Sequence, residues 1–180
     1  IELGQKVFHA SRAGGSDTAL VHALGYWSKA SDGHIPEPFA REAQARAGSQ
    51  PHIAETAFQA DGVRLLGLGR AREAELAFAR AATIVAKMKL RSDLVAPIPC
   101  WLATSLRIQA AGAEGAERER LSKRAARMAR RARRLARSFP NNLPHALRES
   151  GLVAAMRGDL ARGRRHLDES VAHSQALGAA

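Results

Sequence analysis

The sequence predicts an all-α fold of antiparallel helix pairs. Apolar residues recur at intervals of three and four along most stretches, and none alternates with period two. Clusters of Gly, Pro, Ser and Asp separate those stretches. Aromatics make up 4% of the residues against 46% hydrophobic, much of it alanine, which suits closely packed helices and not a sandwich of sheets.

Residues 1–12, IELGQKVFHASR, read as the tail of a preceding helix, with Leu3, Val7 and Ala10 on one side. Ala13-Gly14-Gly15-Ser16 breaks it, and Ser16 or Asp17 can cap the next helix by accepting backbone N–H bonds. That helix runs to about Ala30, with Leu20, Leu24 and Trp27 on one face. Ser31-Asp32-Gly33 and Ile35-Pro36-Glu37-Pro38 form a turn, and a helix over 37–47 follows. After the break at Gly48-Ser49-Gln50, Pro51 suits a first helical turn.

A helix from His52 to Leu68 leads to Gly69, and its partner runs from Ala71 to Leu90 on a stripe of Ala74, Phe78, Ala81, Val85 and Met88. Pro97 and Pro99 bound a helix over 98–111 carrying Trp101, Leu102 and Leu106. AGAEG makes the next turn. The longest helix, 116–138, has an apolar seam of Leu121, Ala125, Met128, Ala132, Leu135 and Phe139, and Pro140 and Pro144 end it. The last pair covers 144–157 and 159–177. About eight helices result, as four pairs over 17–47, 52–90, 98–138 and 144–178 of a single domain.

Thr56–Ala82 organises this reading because His145–Ser170 matches it. Gly62 falls on Gly151, Gly69 on Gly158, Ala74 on Gly163, Phe78 on Leu167 and Ala81 on Ser170. This order of residues resembles the tetratricopeptide repeat (TPR): a small residue in a first helix, a tight turn, then small, bulky and small residues along a second. Gly25, Asp32 and Gly33 are similar to a degenerate first copy, and Trp101 with Gly112 to the start of another. The two best copies lie 89 residues apart, a departure from the family period of about 34 residues. The array looks like the divergent, Ala/Arg-rich ones found beside kinase, cyclase or ATPase domains in large bacterial signalling proteins.

The resemblance implies pairs stacked into a right-handed superhelix that acts as a non-catalytic scaffold for protein–protein interaction. It also implies a concave groove lined by the first helix of each pair. Carried over by repeat position, the groove residues are His22, Tyr26 and Lys29; Gln59, Val63 and Leu66; Leu102, Leu106 and Gln109; and Arg148, Leu152 and Met156. Such a groove suits a peptide or helix, or a neighbouring domain of the parent chain. The Lys/Asn/Arg clamp of chaperone-binding members is absent.

The net charge of +11 concentrates in one helix. Between Arg118 and Arg137 stand 10 basic residues and one acid, Glu119. Arg120, Lys123, Arg127, Arg130, Arg133, Arg134 and Arg137 project opposite the seam, as a solvated face or a surface for an acidic partner. The alternative is nucleic-acid binding, although no aromatic interrupts this face to stack on bases.

The chemistry-bearing residues form no catalytic set, and the reading is of no enzyme, no cofactor and no metal. GLGRAR lacks the Lys-Ser/Thr of a phosphate loop, and no strand precedes it. His166 and His173 stand seven apart on a helix, too far for one ion. Cys100, between Pro99 and Trp101 at a helix start, reads as core; its only chemical alternative is a thiol activated by the helix N-terminus. A single cysteine makes no internal disulfide, and no run of 18 apolar residues exists, so the expected setting is reducing and cytoplasmic. The start at Ile1 and the end in QALGAA read as cuts from a longer protein, with no signal peptide visible.

Overall fold

A computed structural model describes residues 2–48 and 50–178. Ser49, within the expected break, lies outside the described residues. The chain is all-α, 81% helix with no strand among the described residues. It divides into two compact units, residues 1–90 and 91–180.

The first unit holds α1 (Glu2–Ala13), α2 (Asp17–Ala30), α3 (Glu37–Ala47), α4 (Pro51–Gly67) and α5 (Ala71–Met88). Ser16 caps α2, its hydroxyl accepting from the Ala19 amide at 3.3 Å, and Asp17 is the first helical residue. Pro51 opens α4. Helix α1 packs on α2, α2 also packs on α4, and the short α3 touches both α2 and α4. Residues 2–13 are therefore a full partner of α2, and α2 makes more of its packing with α1 and α4 than with α3, the element expected to pair with it.

The buried face of α1 also differs from the expected one. Leu3 is 74% exposed and Val7 45%, whereas Phe8 is fully buried. Three rings fix that face: Phe8 lies 4.8 Å from Phe39 and 5.8 Å from Trp27, centroid to centroid, and Trp27 lies 5.9 Å from Phe39. Gly4 lets the helix close on Trp27, whose Cβ is 3.0 Å from where a Gly4 Cβ would stand. Aromatic packing of this kind outweighs two aliphatic contacts, because each ring removes far more apolar surface from water.

Turn and helix lock together where Asp32-Gly33 lies on α4. A Cβ at Gly33 (φ +87°) would stand 2.4 Å from the Val63 carbonyl oxygen, and one at Gly67 would stand 2.5 Å from the Asp32 oxygen. Gly67 is thus a packing residue. Helix α4 then crosses α5 at Gly62, where a Cβ would stand 2.6 Å from two atoms of the buried Phe78 ring. On α5, Ala74, Phe78 and Ala81 are buried, but Val85 is half-buried and Met88 is 46% exposed. The expected stripe thus ends one turn beyond Ala81.

The second unit holds α6 (Ile98–Ala111), α7 (Gly115–Ala136), a 3₁₀ turn (Pro140–Asn142), α8 (Leu143–Met156) and α9 (Leu160–Ala176). Sequential neighbours pack together, and α6 also touches α8. Pro140 opens the 3₁₀ turn and Pro144 sits in the first turn of α8, where a missing N–H costs nothing. The described helices number nine, one more than expected, with the 3₁₀ turn in addition. The seam of α7 is narrower than its bulky residues suggest. Leu121, Ala125, Ala129, Ala132 and Ala136 are buried, while Met128, Leu135 and Phe139 are half-buried at its edge.

The α4–α5 and α8–α9 turns use the same bonds. The Arg70 amide donates to the Leu65 oxygen (2.8 Å) and the Gly69 amide to the Leu66 oxygen (2.9 Å). The Asp159 amide donates to the Ala154 oxygen and the Gly158 amide to the Ala155 oxygen, both at 3.0 Å. Gly69 and Gly158 hold φ of +73° and +88°, the left-handed position that ends a helix this way.

Candidate functional site: a cationic cleft in the second unit

Burying the alanine seam of α7 fixes the direction of its arginines. Arg120, Lys123, Arg127, Arg130, Arg134 and Arg137 are exposed and Arg133 is half-buried. Their cation character is not uniform. At the start of α7, Glu117 accepts two bonds from Arg120 (2.6 and 2.7 Å), and Glu119 pairs with Lys123 at 3.2 Å. Further along, no carboxylate among the described residues pairs with the side chains of Arg127 or Arg130. The same is true of Arg157, which caps α8, and Arg162, in the first turn of α9.

Two adjoining clefts use these groups. The wider, about 590 Å³, runs along α7 from Arg120 to Arg130 and is also lined by Arg157. The narrower, about 350 Å³, lies between α7, α8 and α9. Arg130, Arg133, Arg157 and Arg162 line it, over a floor that includes Ala129 and Val153. Arg130 and Arg157 belong to both clefts. Its one carboxylate, Asp159, accepts the Arg162 amide at 3.1 Å as the cap of α9. Arg134 and Arg137 line neither cleft.

Arg133 is held in place. A guanidinium only donates, so Arg133 Nη1 takes the lone pair of His166 Nε2 at 3.0 Å. The ring proton then sits on Nδ1 and donates to Glu169 Oε2 at 3.3 Å. His166 is buried, and this chain joins α7 to α9 across the cleft. His173 is exposed and takes no part.

The expected concave groove falls into three kinds of position. Gln59, Val63 and Leu106 are closed off from solvent and belong to the core. His22, Lys29, Leu66, Leu102, Gln109, Leu152 and Met156 are half-buried. Tyr26 is 61% exposed, and Arg148 is exposed.

Part of that first-unit set forms a polar cluster around buried Glu55. Gln59 donates to Glu55 Oε2 at 2.6 Å and Thr56 to Oε1 at 2.9 Å. Burial pushes the Glu55 carboxyl above its ordinary range and the Lys29 ammonium below its own. Burial likewise lowers His22, with His52 and Lys29 adding to the effect. In the second unit, Glu149 is fully buried and accepts from Arg107 (3.0 Å) and Arg148 (3.3 Å). Arg148 is therefore engaged in a structural ion pair.

Cys100 is fully buried. Burial, then the nearby Glu149, push its thiol up to about 12, so it is no nucleophile at neutral pH. No helix among the described residues is long and apolar enough to cross a membrane.

Arg157 and Arg162 are the cleft residues that sequence reasoning passed over. Arg157 caps the end of α8 and Arg162 lies in the first turn of α9, on either side of the α8–α9 turn. Their one signal was the basic run from Arg157 to Arg165. Comparison with protein-family models, curated proteins and solved structures gives no match.

Proposed function

We propose that the chain is a non-catalytic protein-interaction module of the TPR-like kind, and that its second unit binds an acidic segment of a protein partner in the cationic cleft. The observation that carries this reading is that Arg127, Arg130, Arg157 and Arg162 line two adjoining clefts with no carboxylate partner for their side chains among the described residues. The matching turns and small-residue crossings of α4/α5 and α8/α9 support the TPR-like part.

Unpaired guanidinium groups around a concave surface favour carboxylates, because planar forks meet planar carboxylates through two parallel bonds. The dimensions favour a single extended chain. A duplex does not enter clefts of about 350 and 590 Å³, and a single nucleic-acid strand finds no Phe, Tyr or Trp to stack on in their linings. Binding would be steered by charge and weakened by salt.

The test uses a fluorescent Glu/Gly peptide and a mixed-sequence oligonucleotide at low and moderate salt. The expected result is peptide binding that disappears on charge reversal of Arg127, Arg130 and Arg157. Tight oligonucleotide binding with a steep salt slope and a silent peptide would replace this reading with nucleic-acid binding by α7.

A further inference from the structure

We infer that the narrow end of the cleft, at Arg133, Arg157 and Arg162, is a pocket for one phosphoryl group carried by the acidic segment. This rests on the cleft being the partner-binding surface. Four arginines, Arg130 included, line about 350 Å³, and the one carboxylate among the described lining residues, Asp159, caps α9. One Glu or Asp of a partner brings a single charge and two acceptor oxygens, enough for one fork. It would leave the remaining guanidinium groups in that space uncompensated. A phosphorylated side chain brings about −1.5 to −2 charges and three acceptor oxygens, enough for several of the arginines that line the space.

Two further features fit a built pocket. The His166–Glu169 chain fixes Arg133 before any ligand arrives, so less side-chain freedom is lost on binding. Ala129 and Val153 in the floor reduce the local dielectric and strengthen charge-assisted bonds. The wider cleft, running past Arg127 to Arg120, is left for the acidic residues beside the modified one.

The experiment compares three peptides on the full chain: a Glu/Gly peptide with one central phosphoserine, the same peptide with Glu there, and the same with Ser. The phosphoserine peptide is expected to bind about tenfold tighter than the Glu peptide. Arg133→Ala and Arg162→Ala are expected to erase that preference, with helix content by circular dichroism unchanged. Arg127→Ala, in the wider cleft only, is expected to weaken both peptides alike. Inorganic phosphate should compete more strongly with the phosphoserine peptide than with the Glu peptide.

Equal affinity for the phosphoserine and Glu peptides overturns this inference and leaves the acidic-partner reading standing. A preference that survives both Arg133→Ala and Arg162→Ala also overturns it. Failure of all three peptides overturns the inference and that reading together.

Discussion

In α4/α5 one glycine lies against a phenylalanine ring; in α8/α9 two glycines face each other. A Cβ at Gly62 would run into Phe78, whereas a Cβ at Gly151 would stand 2.8 Å from Leu167 Cγ and 2.9 Å from the Gly163 carbonyl oxygen. The first crossing is a large side chain filling the space a small residue vacates. The second is backbone against backbone, with a smaller residue, Leu167, only half-buried beside it. The same chain path, ended by the same turn, thus tolerates two packing solutions, provided small residues stand where the helices meet. The units differ in charge as well. Residues 1–90 hold 11 Lys and Arg against 9 Asp and Glu, and residues 91–180 hold 17 against 8.

The largest effect should come from emptying the first crossing. Phe78→Ala is expected to cost about 3–5 kcal/mol, as for a fully buried ring. Leu167→Ala should lie near or below about 2 kcal/mol, the low end for such a truncation, because Leu167 is only half-buried. Unit-resolved hydrogen exchange reads the two separately, and equal losses would remove the distinction between the crossings.

Next comes filling the vacated space. Gly62→Ala is expected to cost about 1–3 kcal/mol by overpacking against Phe78, partly offset by about 1 kcal/mol of helix propensity. Combining it with Phe78→Leu, which imports the smaller α9 side chain, should cost less than the sum of the two single changes. Additivity in denaturant melts would contradict the steric account.

Smaller and equal effects are expected at the shared turns. Gly69→Ala and Gly158→Ala should each cost about 1 kcal/mol, because both positions hold the left-handed backbone. A clear inequality in their melts would mean that the turns are alike in bonds only.

The last contrast is with pH. Lys29 in the first unit has a folded value below 10.5, so the unfolded chain binds the extra proton. Stability from this group therefore rises as pH climbs toward that value. Cys100 in the second unit runs the other way. Its thiol ionises near 9.0 when unfolded and at about 12 when folded, so stability is lost between those values. Alkali should loosen second-unit amides while firming those around Lys29, and Cys100→Ala should abolish the second-unit loss.

Much of this architecture was legible because turns declare themselves. Gly69, Gly158, Pro51 and Ser16 each have a backbone role that few other residues fill. The helix faces were less legible where bulk misled. Leu3 and Val7 form a tidy stripe on α1, yet tertiary contact with Trp27 and Phe39 selects Phe8. On α7 the bulky Met128 and Leu135 drew the seam away from Ala129 and Ala136, because burial there is decided by how closely the backbones approach. The basic face of α7 was readable from charge alone. The cleft was not, since periodicity along one helix says nothing about Arg157 and Arg162 arriving from the end of α8 and the start of α9.

The chain from Arg133 through His166 to Glu169 gives the cleft an observable of its own. Its geometry commits the imidazole to one tautomer, with Nε2 as the acceptor and Nδ1 carrying hydrogen. An anion bound by the other N–H groups of Arg133 alters its bond to Nε2 while leaving Glu169 opposite Nδ1. The two ring nitrogens of His166 should then move unequally in a nitrogen-detected magnetic resonance spectrum. One buried side chain would thereby report occupancy of the cleft without a label on the ligand.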